Sequence, residues 1–507
     1  MLATAVGVHE LVSWEGVGAP ESRYPPRATE PEDRVTATAS QQTTGRRIVP
    51  ENVATAHLLV SSLFLALGSL LTTLSMASVS FIPLTGPLSY GRLRPMAMLV
   101  VMLGWLVPAF AGAAYHLLPR LTGAALFQPR LAALGLFGTS GLTVAGVALL
   151  GLGLGDGVEP FALPWWFDVL ILGAVSVPLI VTVGTVRNRS ESGVFASLWF
   201  VMAAVAWLPG LALVSALPEL ASIGRLLQSL TFGAGFGNLW VIAMGFGVAY
   251  YVAVKQTDNP LANRQVAKAG FWSLAFAGAF LGPVQVAFGP GPDWLDSVAA
   301  VLSLALPVSA VATAMAVFTT IDRDWEHVEE KPAILAVGYG IFLAIGASVL
   351  SVFAAFSSSA ALVGLTAFWD GVQFLVLFGV GGSFVAAFAY QALPAMTGRQ
   401  ISDIPRAGRQ IKLAGIGAAS TATMLVIAGI ISGFSWTGGA FAGAYSLTGE
   451  GWSEAMALAD VFIGLSVLGA LVTLTGLLLL VRNIASTITS GEATTQEVLV
   501  YEERSDS

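Results

Sequence analysis

Cysteine is absent from the 507 residues, and charge is scarce, with Lys, Arg, Asp and Glu together making up 10% of the chain. Without a thiol the chain can hold no disulfide, iron–sulfur cluster, thiolate copper site or covalently attached c-type haem, so any such centre must sit in another chain. Histidine is sparse as well, limited to His9, His57, His116 and His327. A soluble domain keeps itself hydrated with a charged surface, and a chain that is 55% hydrophobic with so few charges cannot build one. The lipid bilayer is the expected solvent. The formal net charge of −7 leaves no basic groove, which excludes nucleic acid as a partner.

Apolar runs of about 20 residues, enough to cross roughly 30 Å of hydrocarbon, recur from Ala54 almost to Val481. Twelve spans are expected, centred near Phe64, Trp105, Leu142, Gly173, Ala204, Ala243, Ala279, Pro307, Phe342, Gly379, Met424 and Gly469. They form one membrane domain over residues 54–482. Residues 1–53, rich in Pro, Thr, Glu and Arg and without a signal-peptide core, are expected as a disordered tail, and residues 483–507 as a polar tail. Fifty-six glycines spread through the apolar runs suit close helix approach. Gly233, Gly235 and Gly237 are read as packing residues, because no soluble strand–turn–helix surrounds them to cradle a phosphate.

Orientation follows from the loops. Alternate connections hold Arg120, Arg130, Arg187, Arg189, Lys255, Arg264, Lys268, Arg323, Lys331, Arg399, Arg406, Arg409 and Lys412, whereas the others hold only Arg92, Arg94 and Arg225. Cytoplasmic loops carry the excess of basic residues, so both termini are expected in the cytoplasm of a cell that bears this chain in its cytoplasmic membrane.

The segment Tyr90 to Gly123, YGRLRPMAMLVVMLGWLVPAFAGAAYHLLPRLTG, resembles the second span of the haem–copper oxidase superfamily, in particular the C-type cytochrome c oxidases and the nitric oxide reductases. Ser197 to Pro218 resembles their fifth span, Phe271 to Trp294 their seventh, and Ala389 to Gln400 the end of their tenth. The resemblance implies an all-α integral membrane protein with the twelve-helix bundle of subunit I, a place in a respiratory chain, and partner subunits in a membrane complex. It also implies six imidazole ligands for two haems and a copper or iron, since imidazole is a neutral nitrogen donor that suits these metals. Carried over position by position, those ligands fall on Ala97, Ala234, Val284, Gln285, Val372 and Phe374, and the seventh-span tyrosine of the C-type members falls on Gly278. No histidine lies between His116 and His327 or after His327, so a shifted register does not restore the set. No haem or metal cofactor is therefore expected, and activity as a cytochrome c oxidase or nitric oxide reductase is uncertain.

His57 and His116 stand near the basic ends of the first and second spans. They are read as interfacial residues meeting headgroups, with a new haem between them as the alternative. Asn238, Gln285, Asp370 and Gln373 are expected to line a small wet cavity where the metals would be, with Phe374, Trp240 and Phe236 as fillers of the remaining space. Arg92 and Arg94 are expected as headgroup anchors rather than carboxylate partners. Three functions stay open. The first is a non-catalytic structural subunit of a membrane electron-transfer complex. The second is a transporter or channel for protons, ions or a small hydrophobic molecule through the emptied core, and the third is a redox subunit with unconventional haem ligation.

Overall fold

A computed structural model describes residues 50–493, apart from 159, 192, 218–221, 279–280, 286–291, 365 and 442–449. The expected tails lie outside this set up to residue 49 and beyond residue 493. Eleven helices among the described residues are long and apolar enough to cross a bilayer: Glu51–Ser80, Tyr90–Thr122, Pro129–Leu152, Trp165–Arg187, Ala196–Ala216, Gly224–Thr257, Asp293–Ile321, Pro332–Ala355, Phe368–Thr397, Ile404–Ser435 and Ala459–Ser490. The remaining expected span, centred near Ala279, falls on two shorter helices, Arg264–Ala277 and Leu281–Val284. Counting that pair as the seventh span, the eleven long helices take the other places from first to twelfth.

Local chemistry sets the ends of these helices. Gly123, Gly153 and Gly398 follow the second, third and tenth spans with φ of 65°, 81° and 65°, a left-handed conformation that only glycine adopts without a Cβ clash. Pro129 and Pro332 open the third and ninth spans, where a missing N–H costs no hydrogen bond. Asn263 opens the seventh by accepting from the Val266 N–H at 3.2 Å. The last helix runs on to Ser490, into the segment expected as a polar tail. Its polar residues turn into the bundle: Asn483 is buried and donates from Nδ2 to Tyr390 Oη at 2.9 Å, and Thr487 is buried too. Hydropathy counts such residues as wet although their partners are protein.

In hydrocarbon a helix gains nothing by covering apolar side chains with other apolar side chains, so association depends on close contact and small residues. The eleventh and twelfth spans show this as a reciprocal pair. A methyl group on Gly417 would stand 2.5 Å from the Thr473 amide nitrogen, and one on Gly469 would stand 2.7 Å from that of Thr421. The two threonine hydroxyls donate back to the carbonyls of Gly417 and Gly469 in their own helices, at 2.9 and 3.0 Å, so no polar atom is stranded by the close crossing. Gly417→Ala therefore forces backbone against backbone, and we expect it to lower stability by about 1–3 kcal/mol. Gly346, which has open space around its Cβ position, gives the control. Gly346→Ala should leave the thermal unfolding midpoint in detergent unchanged or slightly raised, since alanine is the better helix former by up to about 1 kcal/mol. Equal midpoints for the two variants would show that the crossing is looser than described.

Candidate functional site

The second, sixth and tenth spans form the centre of the bundle. In each, 94% of an apolar 18-residue stretch is buried, against 28–56% for the other eight long helices. The same three helices widen into a π-helical turn in mid-membrane, at Val100–Leu106, Phe236–Val241 and Leu375–Gly381. Such turns are rare and concentrate at functional sites. Here all three converge on one glycine. A Cβ on Gly381 would lie 3.0 Å from Leu106 of the second span and 3.4 Å from Val241 of the sixth. A Cβ on Gly237 would lie 3.2 Å from Val376 of the tenth, and one on Gly235 would meet Leu211 of the fifth, which fits the packing role expected of these glycines. Gly233 faces open space.

Aromatic rings fill the space around this junction. Phe374 and Phe378 lie 4.7 Å apart, Phe236 and Trp240 4.6 Å, Phe110 and Trp240 5.5 Å, and Trp105 and Phe378 5.7 Å, separations typical of favourable ring pairs. Phe374, Trp240 and Phe236 are the expected fillers; Trp105, Phe110 and Phe378 join them. Trp105 Nε1 and Asn238 Oδ1 are buried without a hydrogen-bond partner. Two small cavities among the described residues each have space for about a single water. Neither is lined by Asn238, Gln285, Asp370 or Gln373.

The expected ligand positions sit just before the widened turns. Ala97 precedes Val100 by three residues, Ala234 precedes Phe236 by two, and Val372 and Phe374 lead directly into Leu375. All four are buried, as is Val284, whereas Gln285 is half-buried. The short Leu281–Val284 helix lies against the sixth span, where a Cβ on Gly282 would meet the Leu230 and Thr231 backbone. Gly278 abuts Leu239 of the sixth span, so closely that a Cβ there would approach to 2.5 Å. There is no room for a tyrosine at that backbone position. Among the described residues no three His, Cys, Asp or Glu side chains gather as a metal site would require.

Both span histidines are buried, at 2% exposure each, which corrects the expectation that they meet lipid headgroups. Hydropathy gives their depth in the membrane but not the side of the helix they occupy. His57 packs on Gly112 and sets its ring edge against Tyr115 at 5.1 Å. Its Nδ1 lies 2.8 Å from the Val53 carbonyl, which can only accept, so Nδ1 carries the proton and Nε2 keeps its lone pair. The ring of His116 faces Tyr251 and Phe388. Its Nδ1 lies 3.1 Å from Arg120 Nη1, and because a guanidinium can only donate, that nitrogen is the acceptor and the proton sits on Nε2. The one in-plane lone pair of His116, on Nδ1, is not free for a metal while Arg120 holds it. Arg120 also pairs with Glu51 at 2.9 Å.

At the opposite end of the bundle every arginine is held by the protein. Arg94 forms a two-pronged contact with Asp370, Nη2 to Oδ1 at 2.8 Å and Nη1 to Oδ2 at 3.4 Å, and also donates to Tyr90 Oη at 2.8 Å. Arg92 donates to the Gly151 carbonyl at 3.0 Å, beyond which the third span ends. The headgroup-anchor expectation gives way for Arg94, whose carboxylate partner lies on another span 276 residues away, a separation that no pattern in the sequence links. Asp370, one of the expected cavity residues, is turned to Arg94. Arg225 lies between Asp156 at 2.6 Å and Asp168 at 3.9 Å, beside a small cavity also lined by Ser215, Gln228 and Ser229. Asp168 and Arg225 are 7% and 8% exposed; Arg225 is held chiefly by the nearer Asp156, and Asp168 draws on Arg225 as its cation.

The sequence matches the family model described as Cytochrome C and Quinol oxidase polypeptide I over residues 52–472. Cytochrome c oxidase subunit 1 of Rhodobacter capsulatus is 24% identical over 371 residues, 69% of each chain. The Cbb3-type cytochrome c oxidase subunit CcoN1 of Stutzerimonas stutzeri is 26% identical over 257 residues, 48% of this chain and 54% of its own. A cytochrome c oxidase subunit 1 homolog of Agrobacterium tumefaciens is 22% identical over 421 residues, 79% of this chain and 76% of its own. Among solved structures, a heme-copper terminal oxidase dimer seen by cryo-EM is similar with a TM-score of 0.72 at 13% identity, over 88% of this chain and 86% of that one. At that identity the likeness is one of fold.

The ion pairs at this end differ in what their removal exposes. Arg225→Met leaves Asp168 buried without its cation and should cost roughly 3–5 kcal/mol of stability, read as a lower unfolding midpoint in detergent. The double variant Arg225→Met with Asp168→Asn should regain most of the loss. For the half-exposed Arg94 and Asp370, a double-mutant cycle should give a coupling of only about 1 kcal/mol. A larger coupling for the second pair than for the first would contradict the burial described.

Proposed function

The chain belongs to the cytochrome c and quinol oxidase polypeptide I family, and from that premise we propose that it is a non-catalytic member. On this reading it is a structural or assembly subunit of a membrane electron-transfer complex whose redox centres lie in other chains. The observation that carries the reading is the identity of the side chains at the expected ligand positions. Methyl, isopropyl and phenyl groups at Ala97, Ala234, Val284, Val372 and Phe374 donate nothing to a metal, and the amide oxygen of Gln285 is a poor donor to copper, which prefers nitrogen and sulfur. Haem and copper do not fit this donor set. A methionine thioether is the nearest substitute. Met96, however, directs its methyl toward Gly151 of the third span, within 3.5 Å of that residue's Cβ position. The ring packing around Phe374, Phe378 and Trp105 supports the same reading, since it fills the core with side chains.

A transport route through the core is less well supported. Conduction needs polar groups in series, whereas the contacts at the central junction are Gly381, Leu106, Val241, Gly237 and Val376.

The proposed orientation places the basic loops in the cytoplasm. Reporter fusions after Arg189, Lys268 and Arg409 should be cytoplasmic and those near Pro160 and Asp293 external; a consistent inversion would reverse the assignment. The chemical reading is tested on the chain purified alone, by pyridine haemochrome spectra and elemental analysis. Haem and copper should each be far below one per chain, whereas affinity purification from native membranes should bring down other, haem-bearing membrane subunits. A haem-to-chain ratio near one would overturn the non-catalytic reading, and its loss in His57→Ala would then identify the imidazole that still has a free lone pair.

A further inference from the structure

The two ends of the bundle treat their cations differently. At one end Arg92, Arg94 and Arg225 are all bonded to protein groups. At the other, Arg120 is paired with Glu51, Arg406 with Asp403 at 2.7 Å and Lys412 with Glu329 at 2.7 Å. Along one edge of that second end the pairing stops. The side chains of Arg130, Arg187, Arg189 and Lys268 are exposed and have no ion-pair or hydrogen-bond partner among the described residues. Arg264, also exposed, donates to the Val194 carbonyl at 2.8 Å and lies over the Trp199 ring at 5.3 Å.

Neighbouring contacts make this one continuous edge. The Phe127 N–H donates to Thr185 Oγ1 at 2.9 Å, which joins the start of the third span, with Arg130, to the end of the fourth, with Arg187 and Arg189. The Arg264 bond to Val194 joins the following loop to the seventh span, where Lys268 stands one turn beyond Arg264. Glu191, Asp258 and Lys255 are the other charged residues of these loops among those described, and the surplus is positive. One and two turns beyond Lys268, Trp272 and Phe276 are 56% and 63% exposed, and Phe195 beside Val194 is 48% exposed. Cations thus border directly on bare aromatic surface along the helix axis, the sequence of headgroup and acyl chain in a lipid. An acidic protein segment would have no use for the second half of that surface.

We propose that this edge is a binding site for an anionic phospholipid, with its phosphate held by Arg187, Arg189, Arg264 and Lys268 and its acyl chains along Phe195 and Trp272. Guanidinium forks suit phosphate oxygens, and the charge that the protein leaves uncompensated here is supplied by the lipid. The site depends on the chain being a membrane protein and not on its lack of haem, so it stands or falls apart from the functional reading above.

The test uses the full chain in nanodiscs of phosphatidylcholine mixed with phosphatidylglycerol, with retained lipids counted by native mass spectrometry. The wild-type chain should retain phosphatidylglycerol in preference, and the preference should weaken at high salt. Arg187→Gln, Arg189→Gln and Lys268→Gln together remove three cations that form no ion pair or side-chain hydrogen bond among the described residues, and selectivity should fall by roughly a hundredfold. The charge-conserving set Arg187→Lys, Arg189→Lys and Lys268→Arg should keep most of it, as should Lys412→Gln, a cation already paired with Glu329. Unchanged selectivity in the triple glutamine variant would overturn the proposal. So would an equal loss in Lys412→Gln, which would report net charge alone, or a loss of both lipids together. Loss of an acidic polypeptide from the triple variant with lipid selectivity intact would assign the edge to a protein partner instead.

Discussion

The contact at Gly381 sets the geometry of everything around it. Inside a membrane the force that assembles soluble cores is missing, so three helices that share almost no surface with lipid must be held by how closely their backbones approach. A hydrogen atom at position 381 lets Leu106 and Val241 come within 3.4 Å of the place where a side chain would begin. A straight α-helix presents a given face only every third or fourth residue. A π-helical turn shifts that register by inserting one residue, and each of the three central helices carries one at this depth. The outer spans then pack on a centre whose spacing is already fixed, as the Gly417 and Gly469 crossing does at the periphery.

Polar groups are arranged under the same constraint. Many span hydroxyls bond back to their own helix, as those of Thr421 and Thr473 do, and that of Thr185 also caps a neighbouring loop at Phe127, whereas those of Ser140, Thr182 and Ser309 are buried without a partner among the described residues. Charge is pushed to the two ends, and at one end Arg94 and Arg225 are neutralised by carboxylates while Arg92 is held by a carbonyl of the protein. Where pairing is complete the end is sealed by its own chemistry. Along the Arg187 to Lys268 edge it is incomplete, and the compensation must come from outside the described chain.

Much of the fold was legible from composition alone, because the length of an apolar run is set by bilayer thickness and owes nothing to tertiary structure. Eleven of the expected span centres fall inside long helices. The seventh was the exception, since Gly278 and Gly282 press against the sixth span and the helix there is short. What hydropathy could not supply was direction. His57 and His116 stand at the expected depth but face inward, and Asn483 looks like tail yet donates to Tyr390. Pairings between distant positions were equally hidden: nothing in the sequence joins Arg94 to Asp370, 276 residues away, so Asp370 was grouped with glutamines by span and not with its cation. The π-helical turns had only a faint signal in the glycines that cluster at 233–237 and 379–382.

The position of those turns bears on how a fold of this family can persist with an altered centre. A widened turn forfeits regular hydrogen bonding, so it needs a compensating interaction if it is to be kept. Were that interaction the orientation of metal ligands, a chain with Ala97, Ala234 and Val372 at those positions would have no reason to hold three turns of this kind, each beginning within three residues of such a site. In this chain a different compensation is in view: the turns bring Gly381, Leu106 and Val241 into contact, and rings such as Phe378 and Trp240 complete the packing. The backbone geometry is thus paid for by side chains of the chain itself. On the proposed non-catalytic reading, this is why loss of the ligands need not unfold the bundle, since the closest contacts of the central helices involve none of the positions where imidazole is missing.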